Sequence, residues 1–167
     1  EFAISSKPLG QKAKDAGIDI GVAPTYLSLQ AVKENASSDM IVAAQNVHYL
    51  TNGAYTGEVS IPMLLELGID WVIIGHSERR TYDNETDAKC NAKIKALIAN
   101  NMVPVYCVGE TLAQFEAGLT KEVVGTQVRD GLKDLTKDDV KNLVVAYEPV
   151  WSIGTGKNAS TEIAQDI

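Results

Sequence analysis

Five short runs of mostly apolar residues, at 18–23, 40–44, 71–74, 103–108 and 143–147, punctuate the chain. Apolar runs of this length without polar alternation belong to strands buried on both faces, the situation inside a parallel sheet covered by crossover helices. Between the runs the period lengthens. Cys90, Ile94, Leu97 and Ile98 fall on one face of a helix, Ile61, Leu64 and Leu65 on another, and residues 121–135 mix Val123, Val124, Val128 and Leu132 with charge. The chain is therefore expected to be α/β, a βαβ repetition five strands long. Two architectures share that pattern, an open doubly wound sheet and a (β/α)8 barrel. Periodicity does not separate them. Neither Gly-x-Gly-x-x-Gly nor Gly-x-x-x-x-Gly-Lys-Ser/Thr opens a helix after a strand, which weighs against the nucleotide-binding open sheets.

The polar residues are not scattered. They gather after the apolar runs, as Gln45-Asn46, His76-Ser77-Glu78-Arg79-Arg80, Gly109-Glu110 and Glu148. In barrels and open α/β sheets alike the chemistry sits at the carboxyl ends of the strands, so these clusters are expected to converge on one face.

Composition narrows the partners. At 167 residues the chain fits a single domain, 1–167, with enough length to bury a core, and 45% hydrophobic with 22% charged residues is ordinary globular composition. A net charge of −7 offers no basic field for nucleic acid or an anionic membrane, although local dipoles still allow a small anionic substrate. No apolar run approaches the ~20 residues of a membrane helix, and no export signal opens the chain. Cys90 and Cys107 are the only cysteines, with no Cys-x-x-Cys and no histidine cluster, so reduced structural thiols, no metal and a cytoplasmic location are expected. Three Asn-x-Ser/Thr triplets, at Asn35, Asn84 and Asn158, read as chance. The chain opens at Glu1 inside one helical pattern and closes at 164–167 inside another, and so reads as cut at both ends.

Two strand ends carry chemistry. The run at 143–147 delivers Glu148, followed by Pro149, Trp151 and two glycines, Gly154 and Gly156, which permit backbone shapes and close ligand approach that side chains forbid; this suits a carboxylate base roofed by a closing loop. An ordinary strand end with a surface loop fits the same residues. The run at 71–74 delivers His76 at a turn, followed by Ser77, able to cap a short helix. At a helix amino terminus the imidazole is held neutral and acts as a hydrogen-bond donor able to polarise a carbonyl, or else ties the loop to a backbone carbonyl.

GHSERR (75–80) together with AYEPVWSIGTGK (146–157), supported by QNVHYLTNGAYTGEVS (45–60) and CVGET (107–111), resembles the triosephosphate isomerase family over essentially the whole chain. The resemblance implies a (β/α)8 TIM barrel, of which this chain covers about strands 2 to 6. It implies an aldose–ketose isomerase of glycolysis and gluconeogenesis that interconverts dihydroxyacetone phosphate and D-glyceraldehyde 3-phosphate through an enediolate, without a cofactor. Glu148 matches the base and His76 the electrophile, while Glu78 matches a carboxylate that pairs with an active-site lysine. Ser77 and the Gly154 amide match substrate-binding positions. Pro149, Val150, Trp151, Ile153, Thr155, Gly156 and Lys157 match the lid, with Trp151 also fitting a packing anchor. Asn46, Thr56, Gly57 and Glu58 match the loop that enters a partner subunit, so a homodimer is implied.

Departures from the pattern set limits. Ser152 and Asn158 stand where Ala and Thr are more usual, which implies altered hinge rates at most. The Asn-x-Lys strand would precede Glu1 and the last phosphate-binding strands would follow Ile167, so residues 1–167 alone are expected to be inactive. A non-catalytic phosphate- or partner-binding barrel keeps the same motifs. An aldolase or epimerase would need a Schiff-base lysine or metal ligands at strand ends, and these five strands supply none.

Overall fold

A computed structural model of the chain describes residues 1–153 and 159–167. Five strands, β1 Ile20–Val22, β2 Met40–Ala44, β3 Trp71–Ile74, β4 Val103–Val108 and β5 Val144–Tyr147, form one sheet in the order β1-β2-β3-β4-β5. The pairs β1–β2, β2–β3 and β4–β5 are parallel. Helices α1 Phe2–Ser5 and α2 Lys7–Asp15 precede β1, α3 Tyr26–Asn35 follows it, and α4 Ile61–Glu66 leads to β3. Helices α5 Ser77–Tyr82 and α6 Asp87–Ala99 join β3 to β4, α7 Leu112–Glu116 and α8 Thr120–Gly131 join β4 to β5, and α9 Thr161–Asp166 ends the chain after a 3-10 turn at Val150–Ser152.

The strand order decides between the two architectures. A doubly wound sheet reverses its order at a switch point, whereas here every strand lies beside its predecessor in sequence, as in a (β/α) barrel. The sheet is a partial barrel of that kind.

The chain divides into two compact units, residues 1–73 with 96–104, and residues 74–95 with 105–167. In the first, Leu29, Val42, Ala44, Val47, Ile61, Leu64, Ile69 and Val72 are buried around β1 to β3. In the second, Ile74, Cys90, Ile94, Tyr106, Cys107, Val108, Val124 and Trp151 are buried.

Three of the five strands run over the residues expected from sequence, and the exceptions have local causes. The first covers Ile20–Val22 rather than 18–23, and it starts late because Gly17 (φ 67°) closes α2 and the Ile18 amide is drawn back to the Ala13 carbonyl. The fifth begins at Val144, since the Leu143 amide bonds Val140 in a turn. Leu65 is exposed rather than on the buried face with Ile61 and Leu64. Helix α4 has only six residues before Gly68 (φ 69°) turns the chain, so it buries a single i, i+3 pair.

Candidate active site

Parallel pairing of β4 with β5, Cys107 with Ala146 and Val108 with Tyr147, extends by one bond from the Glu148 amide to the Val108 carbonyl (2.8 Å) and sets Glu148 at the strand end. Its side chain is 15% exposed. Oε1 accepts from the Ser77 amide at 3.1 Å and from the Ser77 hydroxyl in a short contact. Oε2 stands 3.5 Å from His76 Nε2. Residues 71 positions apart in sequence thus meet across two strand ends. Beside them lies a cavity of about 10 Å³, room for roughly one water, lined by Gly75, Ser77, Cys107, Gly109, Glu148 and Val150 among others. Burial first, and then the Glu148 carboxylate, push the Cys107 thiol up to about 12.

The cap of α5 is His76, not Ser77. Ser77 is the first helical residue, and its side chain serves Glu148 instead. His76 takes an extended conformation (φ −54°, ψ 142°), and its Nδ1 accepts from the Glu78 amide at 3.3 Å. A nitrogen that accepts carries no proton, so the imidazole proton resides on Nε2, the atom facing Glu148. Glu78 contributes that amide, while its own carboxylate is 69% exposed and 3.7 Å from Nδ1.

The turn that presents His76 is gripped by opposite charges. Gly75 has φ 74°, a conformation side chains rarely adopt. Its amide donates to Glu85 at 3.1 Å and its carbonyl accepts from Arg80 Nε at 2.7 Å. Arg80 also meets Asp87 at 2.6 Å, and the Tyr106 hydroxyl and the Cys107 carbonyl at 3.3 Å each. Glu85 is paired with Lys93 in a buried short contact, and Arg79 pairs with Asp83 at 3.3 Å. Arg79 and Arg80 thus form an ion-pair scaffold behind the turn.

After Glu148, Pro149 leads into the 3-10 turn of Val150, Trp151 and Ser152, and Ile153 follows exposed. The anchor of this turn is Glu110, in the Gly109-Glu110 pair that follows β4. It is fully buried. Its carboxylate accepts from Trp151 Nε1 (2.8 Å), from the Tyr147 hydroxyl (3.0 and 3.1 Å) and from the Thr120 hydroxyl (3.2 Å), and its carbonyl takes the Val150 amide at 3.1 Å. Burial, reinforced by the Glu110 carboxylate, pushes the Tyr147 phenol up. Phe115 packs on Trp151 with ring centroids 4.5 Å apart. Gly154, Thr155, Gly156 and Lys157, the remainder of the expected lid, lie outside the described residues, as does Asn158.

The other expected positions lie in the first unit. Asn46 is buried, its carbonyl taken by the Tyr26 hydroxyl at 2.5 Å, whereas Thr56, Gly57 and Glu58 are exposed on the following loop. The loop is closed at its base by the His48 amide on the Val59 carbonyl (2.8 Å), and His48 stacks with Tyr49 and Tyr55. Among the described residues no helix is long and apolar enough to cross a membrane, and no group of His, Cys, Asp or Glu could hold a metal ion.

A sequentially wound β/α sheet with a carboxylate and an imidazole opposed at its strand ends defines a barrel-type site equipped for acid–base chemistry. The triosephosphate isomerase family model matches residues 3–167, and the chain belongs to that family. It is similar to the triosephosphate isomerase of Clostridium botulinum (strain ATCC 19397 / Type A), 49% identical over 99% of this chain and 66% of the relative. Triosephosphate isomerases of Chloroherpeton thalassium (53% identical, 89% of this chain, 60% of the relative) and Clostridium perfringens strain SM101 (48%, 96% and 64%) are also similar. The chain thus spans slightly less than two thirds of the length of these curated relatives.

Proposed function

We propose that the full-length gene product is a triosephosphate isomerase, interconverting dihydroxyacetone phosphate and D-glyceraldehyde 3-phosphate. The observation that carries this reading is the 3.5 Å approach of the Glu148 carboxylate to Nε2 of His76. Glu148 removes a proton from one carbon of the substrate, leaving an enediolate, and returns it to the neighbouring carbon. His76 Nε2–H donates to the substrate oxygens, where negative charge develops, and the hydroxyl proton of the first oxygen passes by way of the imidazole to the second, so that carbonyl and hydroxyl exchange places. Ser77 holds the carboxylate through its amide and hydroxyl, and the Gly154 amide with the lid from Pro149 to Lys157 encloses the phosphate. Glu78 orients His76 through its amide. No step needs a metal or organic cofactor, since base, donor and exclusion of water suffice for deprotonation beside a carbonyl.

The same reading makes the protein a homodimer through the loop bearing Asn46, Thr56, Gly57 and Glu58. It places the enzyme in the cytoplasm, in glycolysis and gluconeogenesis. The buried thiols Cys90 and Cys107 support a reducing compartment. Residues 1–167 are read as one domain, which is supported by strands β3 and β4 each contributing residues to both compact units.

The test is Glu148→Gln in the full-length product. Turnover of glyceraldehyde 3-phosphate should fall by about 10³-fold or more while the fold persists by circular dichroism. An unchanged rate in a folded variant would remove Glu148 from the chemistry, and a wild-type protein without turnover would overturn the isomerase reading.

A further inference from the structure

The carbonyls of Val108 and Glu110 accept from the amides of Glu148 (2.8 Å) and Val150 (3.1 Å), so the chain after β4 continues to pair with the chain after β5. Backbone groups alternate in direction along an extended chain, and Gly109, between those two acceptors, points its own amide and carbonyl the other way. Both are taken by one side chain. The Gly109 amide donates to Gln127 Oε1 at 2.8 Å, and Gln127 Nε2 donates to the Gly109 carbonyl at 3.0 Å. The face of Gly109 toward Glu148 has no slack, because a Cβ there would lie 1.8 Å from the Glu148 carbonyl oxygen and 2.7 Å from its carbon.

The reach of Gln127 is itself fixed. Tyr106 on β4 donates its hydroxyl to the Gln127 carbonyl at 2.8 Å, and a Cβ on Gly131 would meet that hydroxyl oxygen at 2.3 Å. Helix α8 therefore sits as close to β4 as a glycine permits, and the Gln127 carboxamide meets Gly109 with both of its polar groups satisfied.

We infer that Gln127 is a positioning residue for Glu148, acting through the Gly109 backbone to hold the base at its working height above β5. The inference rests on the reading of Glu148 as the base, and deepens it by naming the group that places it. Glutamine is suited to the position because it presents one acceptor and one donor in a plane, matching the amide and carbonyl of a single residue. Glutamate at 127 keeps the acceptor but sets a second oxygen against the Gly109 carbonyl, and leucine removes both bonds at similar volume.

The test compares wild type, Gln127→Glu and Gln127→Leu in the isotopically labelled full-length product. The Ser77 amide, which donates to Glu148 Oε1, is the reporter. In both variants its resonance should move upfield, while the β4 and β5 amides keep their pattern. In steady-state assays kcat should fall about 10- to 100-fold with KM within about twofold, as expected when a reacting group is displaced and substrate binding is intact. Folded variants with the wild-type Ser77 signal and wild-type kcat would overturn the inference. If the leucine variant does not fold, the glutamate variant decides alone. A wild-type protein without turnover would fail the isomerase reading, while the Ser77 signal would still answer whether Gln127 places Glu148.

Discussion

At the scale of single residues, two glycines that look alike in the sequence have opposite requirements. Gly109 faces the Glu148 backbone at a distance no side chain tolerates, whereas a Cβ on Gly125, inside α8, meets nothing within 4 Å. Gly109→Ala should therefore destabilise by about 3 kcal/mol through forced backbone displacement, and Gly125→Ala should stabilise by about 0.5–1 kcal/mol by restricting the unfolded chain in a helix interior. Urea titrations of both variants check the pair, and a harmless Gly109→Ala would mean that the two strand ends are not in contact. The thiols make a second prediction. Burial first of all pushes Cys90 and Cys107 up to about 12, well above the ordinary range of a thiol near 9.0. In the folded state both keep their protons where the unfolded chain has lost them. Their contribution to stability is thus fully present below pH 9 and is lost as pH rises toward 12, with a slope approaching about 1.4 kcal/mol per pH unit for each thiol. Replacing either cysteine by Ala should flatten the alkaline limb of a stability-versus-pH curve, and an unchanged limb would place the loss elsewhere.

At the scale of elements, the 3-10 turn after Glu148 is held less by its own sequence than by the buried Glu110. Three donors from three elements, Trp151, Tyr147 and Thr120, end on one carboxylate. Glu110→Gln keeps the shape but turns one acceptor into a donor facing the Tyr147 phenol, so it should cost about 1–3 kcal/mol. With Trp71→Phe as background, leaving Trp151 the one indole, its emission should shift to longer wavelength and become easier to quench. Emission identical to the parent would show that the indole does not depend on Glu110. This element also marks where sequence reasoning stops. Glu148, His76 and Ser77 were legible because each lies within three residues of the end of an apolar strand, and strand ends are where α/β sheets place chemistry. Glu110 and Gln127 were not singled out, because their importance lies in contacts with residues 41 and 18 positions away that no local period encodes. The cap of α5 differs from the sequence expectation for a related reason. Ser77 has the right chemistry for a cap, but a carboxylate 71 positions downstream claims its hydroxyl, and the imidazole before it takes the helix amide.

At the scale of the whole molecule, the strand order could not be read from periodicity, since both α/β architectures repeat the same pattern, and the sequential order of neighbours settled it. What remains to be explained is a set of apolar side chains left in water in the first unit. Tyr49, Leu50, Tyr55, Met63 and Leu65 are each 39–55% exposed. His48, Leu50, Tyr55, Glu58 and Met63 together line a cavity of about 240 Å³ at the base of the loop. The loop is not loose, because the His48 amide is bonded across its base and its imidazole accepts from the Leu50 amide at 3.0 Å while stacking on two tyrosines. A braced loop that displays tyrosine, leucine and methionine around a hollow has the makeup of an interface core rather than of a solvated turn. The proposed homodimer covers this surface. Analytical ultracentrifugation of the full-length product should then give a dimer at micromolar concentration, and Met63→Asp should shift it to monomer, because a carboxylate would be buried without a partner. A wild-type protein that stays monomeric at about 100 μM, where even weak interfaces assemble, would remove the loop from any subunit contact and leave its exposed aromatic residues without a role.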